Sequence, residues 1–274
     1  MLYCFFAAYV AAEILFNMVP LLRPYPVFLA VAFVLLHSLW TRRARYTMIF
    51  FGLTFVAGLL SEIGGTAFGW FFGAYYYIAR PPWMVAGLVP IQTPLSWCVF
   101  LYVCDALTDL IIPPALTQKE RSVRFLFFAA PTINGLEAMG LDMILDPVSA
   151  GHSWIWVSPG PFFGIPISNF VGWFLVAFLS TATARAIGSA HDLTSHGSIQ
   201  IFQSAPVLLY LLFLAKFSTA ALFGETLLGQ GRHSAPELVL VGVATTVPYV
   251  VFAVLSLLSR RESTVMGTLV GREG

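Results

Sequence analysis

The run Glu237-Leu-Val-Leu-Val-Gly-Val-Ala-Thr-Thr-Val-Pro248-Tyr-Val-Val-Phe-Ala-Val-Leu-Ser-Leu-Leu-Ser259 carries a single charge, at its first residue. It is longer than the ~20 residues an α-helix needs to cross a hydrocarbon core. Lipid offers no hydrogen bonds to a polypeptide backbone, which leaves helices or closed barrels as spanning forms. The apolar positions are continuous rather than alternating, so the run reads as a helix. Working outward from it, comparable tracts recur at about 1–19, 26–41, 46–62, 88–110, 123–146, 165–187 and 200–223. The pattern predicts an all-α, polytopic integral membrane bundle of about eight helices in a single domain, 1–274. The count is seven if the short tract fenced by Pro24 and Pro26 does not span. Composition agrees: of 274 residues 58% are apolar, 10% are charged and 25 are Phe, more apolar surface than a soluble core of this size needs. A formal charge of +1 gives no basic footprint for nucleic acid.

Residues 1–19 lack a basic leading segment and a small-residue cleavage site, and further spans follow, so they read as a retained first helix. Cys4, Cys98 and Cys104 lie inside apolar runs without metal-ligand spacing and read as buried small apolar residues. Lys and Arg are uneven among the connections. Arg42, Arg43, Arg45, Lys119, Arg121, Arg124, Arg185, Arg260, Arg261 and Arg272 fall on one side, and Arg23, Arg80 and Arg232 on the other. The positive-inside rule makes the first side, and both termini, cytoplasmic.

Two connections, 63–87 and 147–164, are rich in aromatics and Gly and nearly free of positive charge. Comparing them exposes a degenerate internal repeat. The first leads into its next helix as Val-Pro90-Ile-Gln-Thr-Pro-Leu-Ser-Trp97, the second as Ile-Pro166-Ile-Ser-Asn-Phe-Val-Gly-Trp173, with a Pro-to-Trp spacing of seven in both. Each unit also has a Phe-Phe-Gly triplet, ending at Gly73 and Gly164, and a preceding carboxylate, Glu62 or Asp146. The units run at about 46–110 and 123–187, and an even number of helices between them makes the copies parallel, with both loops and acids on one face. A site shared between them is expected there.

Intramembrane carboxylates are costly and call for a partner, a cavity or a proton-handling role. Glu13, Glu62, Glu137, Asp142 and Asp146 qualify by position. Asp142 and Asp146 stand one turn apart, with Asn134 and Glu137 flanking their face deeper in the same helix. Carboxyls set in apolar surroundings suit acid catalysis better than tight cation binding. The aromatics of the two loops are Trp70, Phe71, Phe72, Tyr75, Tyr76, Tyr77 and Trp83, then Trp154, Trp156, Phe162 and Phe163. Taken singly they fit an interfacial belt. The accompanying glycines Gly64, Gly65, Gly69, Gly73, Gly160 and Gly164 instead point to tightly folded re-entrant segments lining a cavity. Aromatic faces around a carboxylic acid also stabilise a carbocation without attacking it. His152 lies near the acids, whereas His37, His191, His196 and His233 are dispersed. Asp105 and Asp109 form a second acid pair near a cytoplasmic helix end and read as interfacial. Neither a phosphate loop, a nucleophile elbow, a zinc pair nor a dinucleotide fingerprint occurs.

The ordered elements Glu62-Ile-Gly-Gly-Thr, Phe-Phe-Gly73-Ala-Tyr75-Tyr-Tyr77, Pro90…Trp97, Asp142-Met-Ile-Leu-Asp146-Pro147, Trp154-Ile-Trp156, and Phe163-Gly164-Ile-Pro166…Asn169…Trp173 resemble the bacterioruberin-type carotenoid hydratase family. The resemblance covers roughly residues 60–180. It implies an enzyme of a bacterial or archaeal cell membrane that hydrates the terminal double bond of an acyclic carotenoid without a cofactor, in contact with other enzymes of the same pathway. It further implies Glu62 and Asp146 as acid and base in either order, Asp142 and Asn169 holding water, and Glu137 adjusting proton affinity. Tyr75, Tyr77, Trp97, Trp154, Trp156, Phe163 and Trp173 would line the substrate site, entered from membrane lipid. Attack by an internal double bond in place of water would make the same site a cyclase. Two further readings stay open: an intramembrane prenyltransferase, because Asp142/Asp146 and Asp105/Asp109 imitate paired Mg²⁺-diphosphate ligands, and a proton-coupled transporter.

Overall fold

The computed structural model describes residues 4, 7–11, 26–78, 80–81, 83–112, 122–188, 204–223 and 234–270, with side chains at all of these but 122–126 and 260–270. Seven helices follow one another: α1 Pro26–Thr41, α2 Ala44–Phe68, α3 Gln92–Ile111, α4 Ser122–Ser149, α5 Ile167–Ile187, α6 Ala205–Phe223 and α7 Ala235–Val270. Residues 4 and 7–11 are helical as well, and the rest of the expected first span, with Glu13, lies outside the described residues. Among the described residues five helices are long and apolar enough to cross a membrane: α2, α3, α5, α6 and the Ala235–Ser259 part of α7. The chain is an all-α membrane bundle.

The α3 helix is the hub. It packs against α1, α2, α4, α6 and α7 and has the most buried apolar window of the five spans. The most extensive pairing joins α4 to α5, while α2 packs on both α3 and α5. Close approach of α4 and α7 depends on missing side chains. A Cβ on Gly140 would stand 2.7 Å from the Thr245 carbonyl oxygen, and the Thr245 hydroxyl donates to the Gly140 carbonyl at 2.9 Å. Small residues serve membrane helix contacts in this way.

Helix boundaries differ from the sequence reading at the loops. The α2 helix continues six residues beyond Glu62 and stops at Gly69, whose φ of +70° suits glycine and whose N–H caps Gly64 and Gly65. The α4 helix runs through Pro147 to Ser149. Both acids therefore sit inside helices rather than at their ends. The expected span from 88 begins instead at Gln92, because Val89–Pro90 (β3) pairs antiparallel with Met84–Val85 (β2). Strand Tyr75–Tyr77 (β1) pairs antiparallel with Trp154–Trp156 (β4), in the register Tyr75↔Trp156, Tyr76↔Ile155 and Tyr77↔Trp154. The two aromatic loops are thus zipped to each other.

At the other end of the bundle the structure corrects the reading of Asp105 and Asp109 as interfacial. Asp105 is fully buried, and with Asp109 it is clamped by two arginines, Arg42 in the link just after α1 and Arg185 on α5. Arg42 pairs with Asp105 and, at 2.7 Å, with Asp109; Arg185 reaches Asp105 at 2.5 Å and Asp109 at 2.7 Å. Tyr46 adds a hydroxyl to Asp105 at 3.0 Å. Among the cysteines, Cys98 and Cys104 are buried as expected, but Cys4 is exposed.

Candidate functional site

Glu62 is placed by what its helix lacks. Gly58, one turn before it, leaves room for the Trp97 indole, which a Cβ there would meet at 2.8 Å; Gly65, one turn after it, does the same for the Tyr75 ring at 2.7 Å. These two rings can then turn their polar atoms onto the acid. Trp97 Nε1 donates to Glu62 Oε1 at 2.8 Å, and the Tyr75 and Tyr77 hydroxyls both donate to Oε2, the latter at 2.6 Å. Burial, and next the Glu62 carboxylate, push both phenols well above the ordinary tyrosine range, so they remain O–H donors.

The strand pair decides which aromatics face the acid. Alternation turns Tyr75 and Tyr77 inward and Tyr76 outward. Cross-strand contact then sets Trp156 beside Tyr75 (ring centroids 5.7 Å apart) and Trp154 beside Tyr77 (6.0 Å, edge-on). Trp156 is fixed further by its Nε1 donating to the Phe72 carbonyl at 2.9 Å. Behind this ribbon Trp97 stacks on Trp173 with centroids 4.0 Å apart. Those are the two tryptophans that share the Pro-to-Trp spacing.

The second acidic element comes from the contact between α4 and α5. The Asn169 amide nitrogen donates to Asp142 Oδ2 at 2.7 Å and to Asp146 Oδ2 at 2.5 Å. All three side chains are buried. One donor thus serves two carboxyls a turn apart.

Glu62, Asp146, Asn169, Tyr75, Tyr77, Trp97, Trp154, Trp156 and Trp173 all line one cavity of about 710 Å³, with His152 at the same wall. Asp142 stands behind, joined to it through Asn169. Glu137 and Phe163 are not among the lining residues. Glu137 accepts from the Thr108 hydroxyl at 3.1 Å deeper in the bundle, and Phe163 packs edge-on against Phe162 with φ of +50°. Among the described residues no set of three or more His, Cys, Asp and Glu side chains is grouped to hold a metal ion.

With that geometry in place, the comparisons add one finding. Residues 23–231 match the carotenoid biosynthesis protein family. The chain belongs to that family. Its cavity is accordingly that of a membrane protein of carotenoid biosynthesis, a setting in which a lipophilic isoprenoid substrate is expected. No curated protein and no solved structure matches the chain.

Several lining residues were missed from sequence: Gln92, Thr93, Ser96, Phe100, Arg80 and Lys216. Gln92 is notable, because both of its amide atoms are buried without a partner among the described residues. Lys216 stands on α6 outside the repeat, where no motif pointed.

Proposed function

We propose that this protein adds water to the terminal double bond of an acyclic carotenoid end group. The observation that carries the reading is the convergence of acids from two helices, Glu62 and Asp146, on one aromatic-lined cavity within a membrane bundle. A carboxyl O–H protonates the terminal alkene; the π pair forms the new C–H bond and leaves a tertiary cation faced by Trp97, Trp173 and Tyr77. Water forms the C–O bond, and a second carboxylate takes its proton. The sum is one water added, with the proton count of the acids unchanged.

Hydrogen bonding supports a division of labour. Three donors converge on Glu62, which suits an acceptor-only carboxylate and thus the base. Asp142 and Asp146 share the single amide of Asn169, an arrangement suited to holding a proton between them and thus to the acid. Gln92, with unpartnered donor and acceptor atoms at the cavity wall, suits a water-holding role and favours hydration over cyclisation. Glu137, bonded to Thr108 away from the cavity wall, is a buried structural acid rather than a group that meets substrate. The prenyltransferase reading loses its second metal-binding pair, since guanidinium groups fill the places around Asp105 and Asp109. Both termini on the cytoplasmic side and a parallel pair of repeat units, about 46–110 and 123–187, complete the proposal, with the stacked Trp97 and Trp173 in support.

The test is expression in a bacterial host that accumulates lycopene, beside Glu62→Gln and Asp146→Asn variants, with pigments analysed by chromatography and mass spectrometry. The expected product is heavier by one or two waters and falls by about a hundredfold or more in either variant. An isomer of unchanged mass with a shortened chromophore would replace hydration by cyclisation. Unaltered pigment in hosts making lycopene and other acyclic carotenoids would overturn both.

A further inference from the structure

A second hollow, of about 560 Å³, runs along the outer seam between α2 and α5. Its floor is made of small side chains, Ala57, Ser61, Gly64 and Ser180, and its rims of Leu60 and Leu179. From Leu53 to Phe68 it follows α2 for sixteen residues, about 22 Å of helix rise. Trp70 closes the upper end, lying over Gly64 and stacked on Phe68 with ring centroids 4.8 Å apart.

This groove and the acid cavity are two sides of one thin wall. Ser61 lines the groove and Glu62 the cavity; Phe71 lines the groove and Phe72 the cavity; on α5, Val176 and Trp173 divide in the same way. Phe72 is the partition, wedged between Gly172, where a Cβ would meet its ring at 2.7 Å, and Trp97, on which it stacks at 5.9 Å. The segment holding it turns at three successive alternate residues with positive φ, Gly69, Phe71 and Gly73.

We propose that the groove between α2 and α5 seats the polyene shaft of the carotenoid whose end group occupies the cavity, the end group passing beside Phe72. This rests on the proposed function for the end-group chemistry. A carotenoid shaft is long, straight and apolar, and a cavity built around one end group has to let the rest of it lie in lipid. The groove is almost wholly apolar and lies directly across the Phe72 partition from the cavity. A rigid conjugated chain loses little conformational freedom on lying in it, whereas a lipid acyl chain loses many rotors. The flat faces of Phe68 and Trp70 suit a conjugated chain.

The test uses the full chain in lipid nanodiscs, with lycopene as the long probe and farnesene as a short acyclic isoprenoid bearing the same end group. Ala57→Phe and Thr183→Phe fill the groove from opposite helices. Two quantities are read: the ratio of turnover on lycopene to that on farnesene, and the quenching of Trp70 emission by lycopene, taken as wild type minus Trp70→Phe. Both fillings are expected to lower the ratio by about tenfold or more and to abolish the Trp70 quenching. An unchanged ratio with undiminished quenching would overturn the proposal, leaving a lipid acyl chain as the occupant. Equal losses on both substrates would overturn it too, because the groove residues would then act on the fold. If wild type converts neither probe, while lycopene still quenches Trp70 and the fillings prevent it, the groove stands and the hydratase reading falls.

Discussion

Glu62, Asp146 and Asn169 show how few side chains make an acid site in apolar surroundings, and each is vulnerable separately. Asn169→Leu removes the amide that, among the described residues, donates to two buried carboxyls. A loss of about 1–3 kcal/mol is expected in thermal melts, together with loss of turnover, whereas Asn169→Gln should recover part of the stability alone. Tyr75 and Tyr77 give a pH signature. Their phenols stay protonated in the folded protein above the range in which an unfolded tyrosine ionises, near pH 10. Their contribution to stability is therefore full below that pH and is lost as pH rises through the folded values. In a Tyr75→Phe, Tyr77→Phe variant, the fall in melting temperature on going alkaline should be shallower. The tyrosinate absorbance that develops near pH 10 in the folded protein should be undiminished. These residues were legible in the sequence because charge is rare in this chain and each acid stood out. Gln92 was not, because an uncharged amide at a helix start looks like any other until its lack of a partner is seen.

Helices were legible at the scale of elements because each is an unbroken apolar tract, and α1, α5 and α6 lie close to the expected limits. The strands were not. Three residues such as Tyr75–Tyr77 carry too little alternation to announce a strand, and their partner lies across two helices. Re-entrant folding was expected from the loop glycines, and one of them, set against a mid-helix glycine, allows an opposed pair of predictions. Gly160 bonds to Gly164 across a tight turn, and a Cβ on it would stand 2.2 Å from the Ile165 carbonyl oxygen. Gly160→Ala should cost about 1–3 kcal/mol and loosen the loop that carries Trp156, seen as a lower melting temperature and reduced turnover. Gly52 is mid-helix with nothing within 4 Å of its added Cβ, so Gly52→Ala should be neutral or stabilise by about 0.5–1 kcal/mol.

Over the whole molecule, the polar groups collect at two poles. The cavity lies at the loop end, and the Arg42, Arg185, Asp105 and Asp109 cluster ties α1, α3 and α5 at the other. Sequence reasoning placed Asp105 at a helix end and stopped there, because its partners are 63 and 80 residues away and no local spacing links them. Removing one arm of this cluster strands a buried charge. Arg185→Met is expected to destabilise the bundle by about 3–5 kcal/mol, read as early melting in detergent, while Arg185→Met combined with Asp109→Asn should recover part of the loss.

The Trp97–Trp173 stack joins α3 to α5 at the cavity wall, with the two indoles 4.0 Å apart and 27° from parallel. Two chromophores so near each other share their excited states, and a twisted pair does so with a definite handedness. The protein therefore carries its own optical gauge: a near-ultraviolet circular dichroism couplet that disappears in Trp97→Phe or Trp173→Phe and is present only while the two helices are held together. Because Trp97 also donates to Glu62, a ligand that disturbs the acid's bonds will alter the couplet without any label.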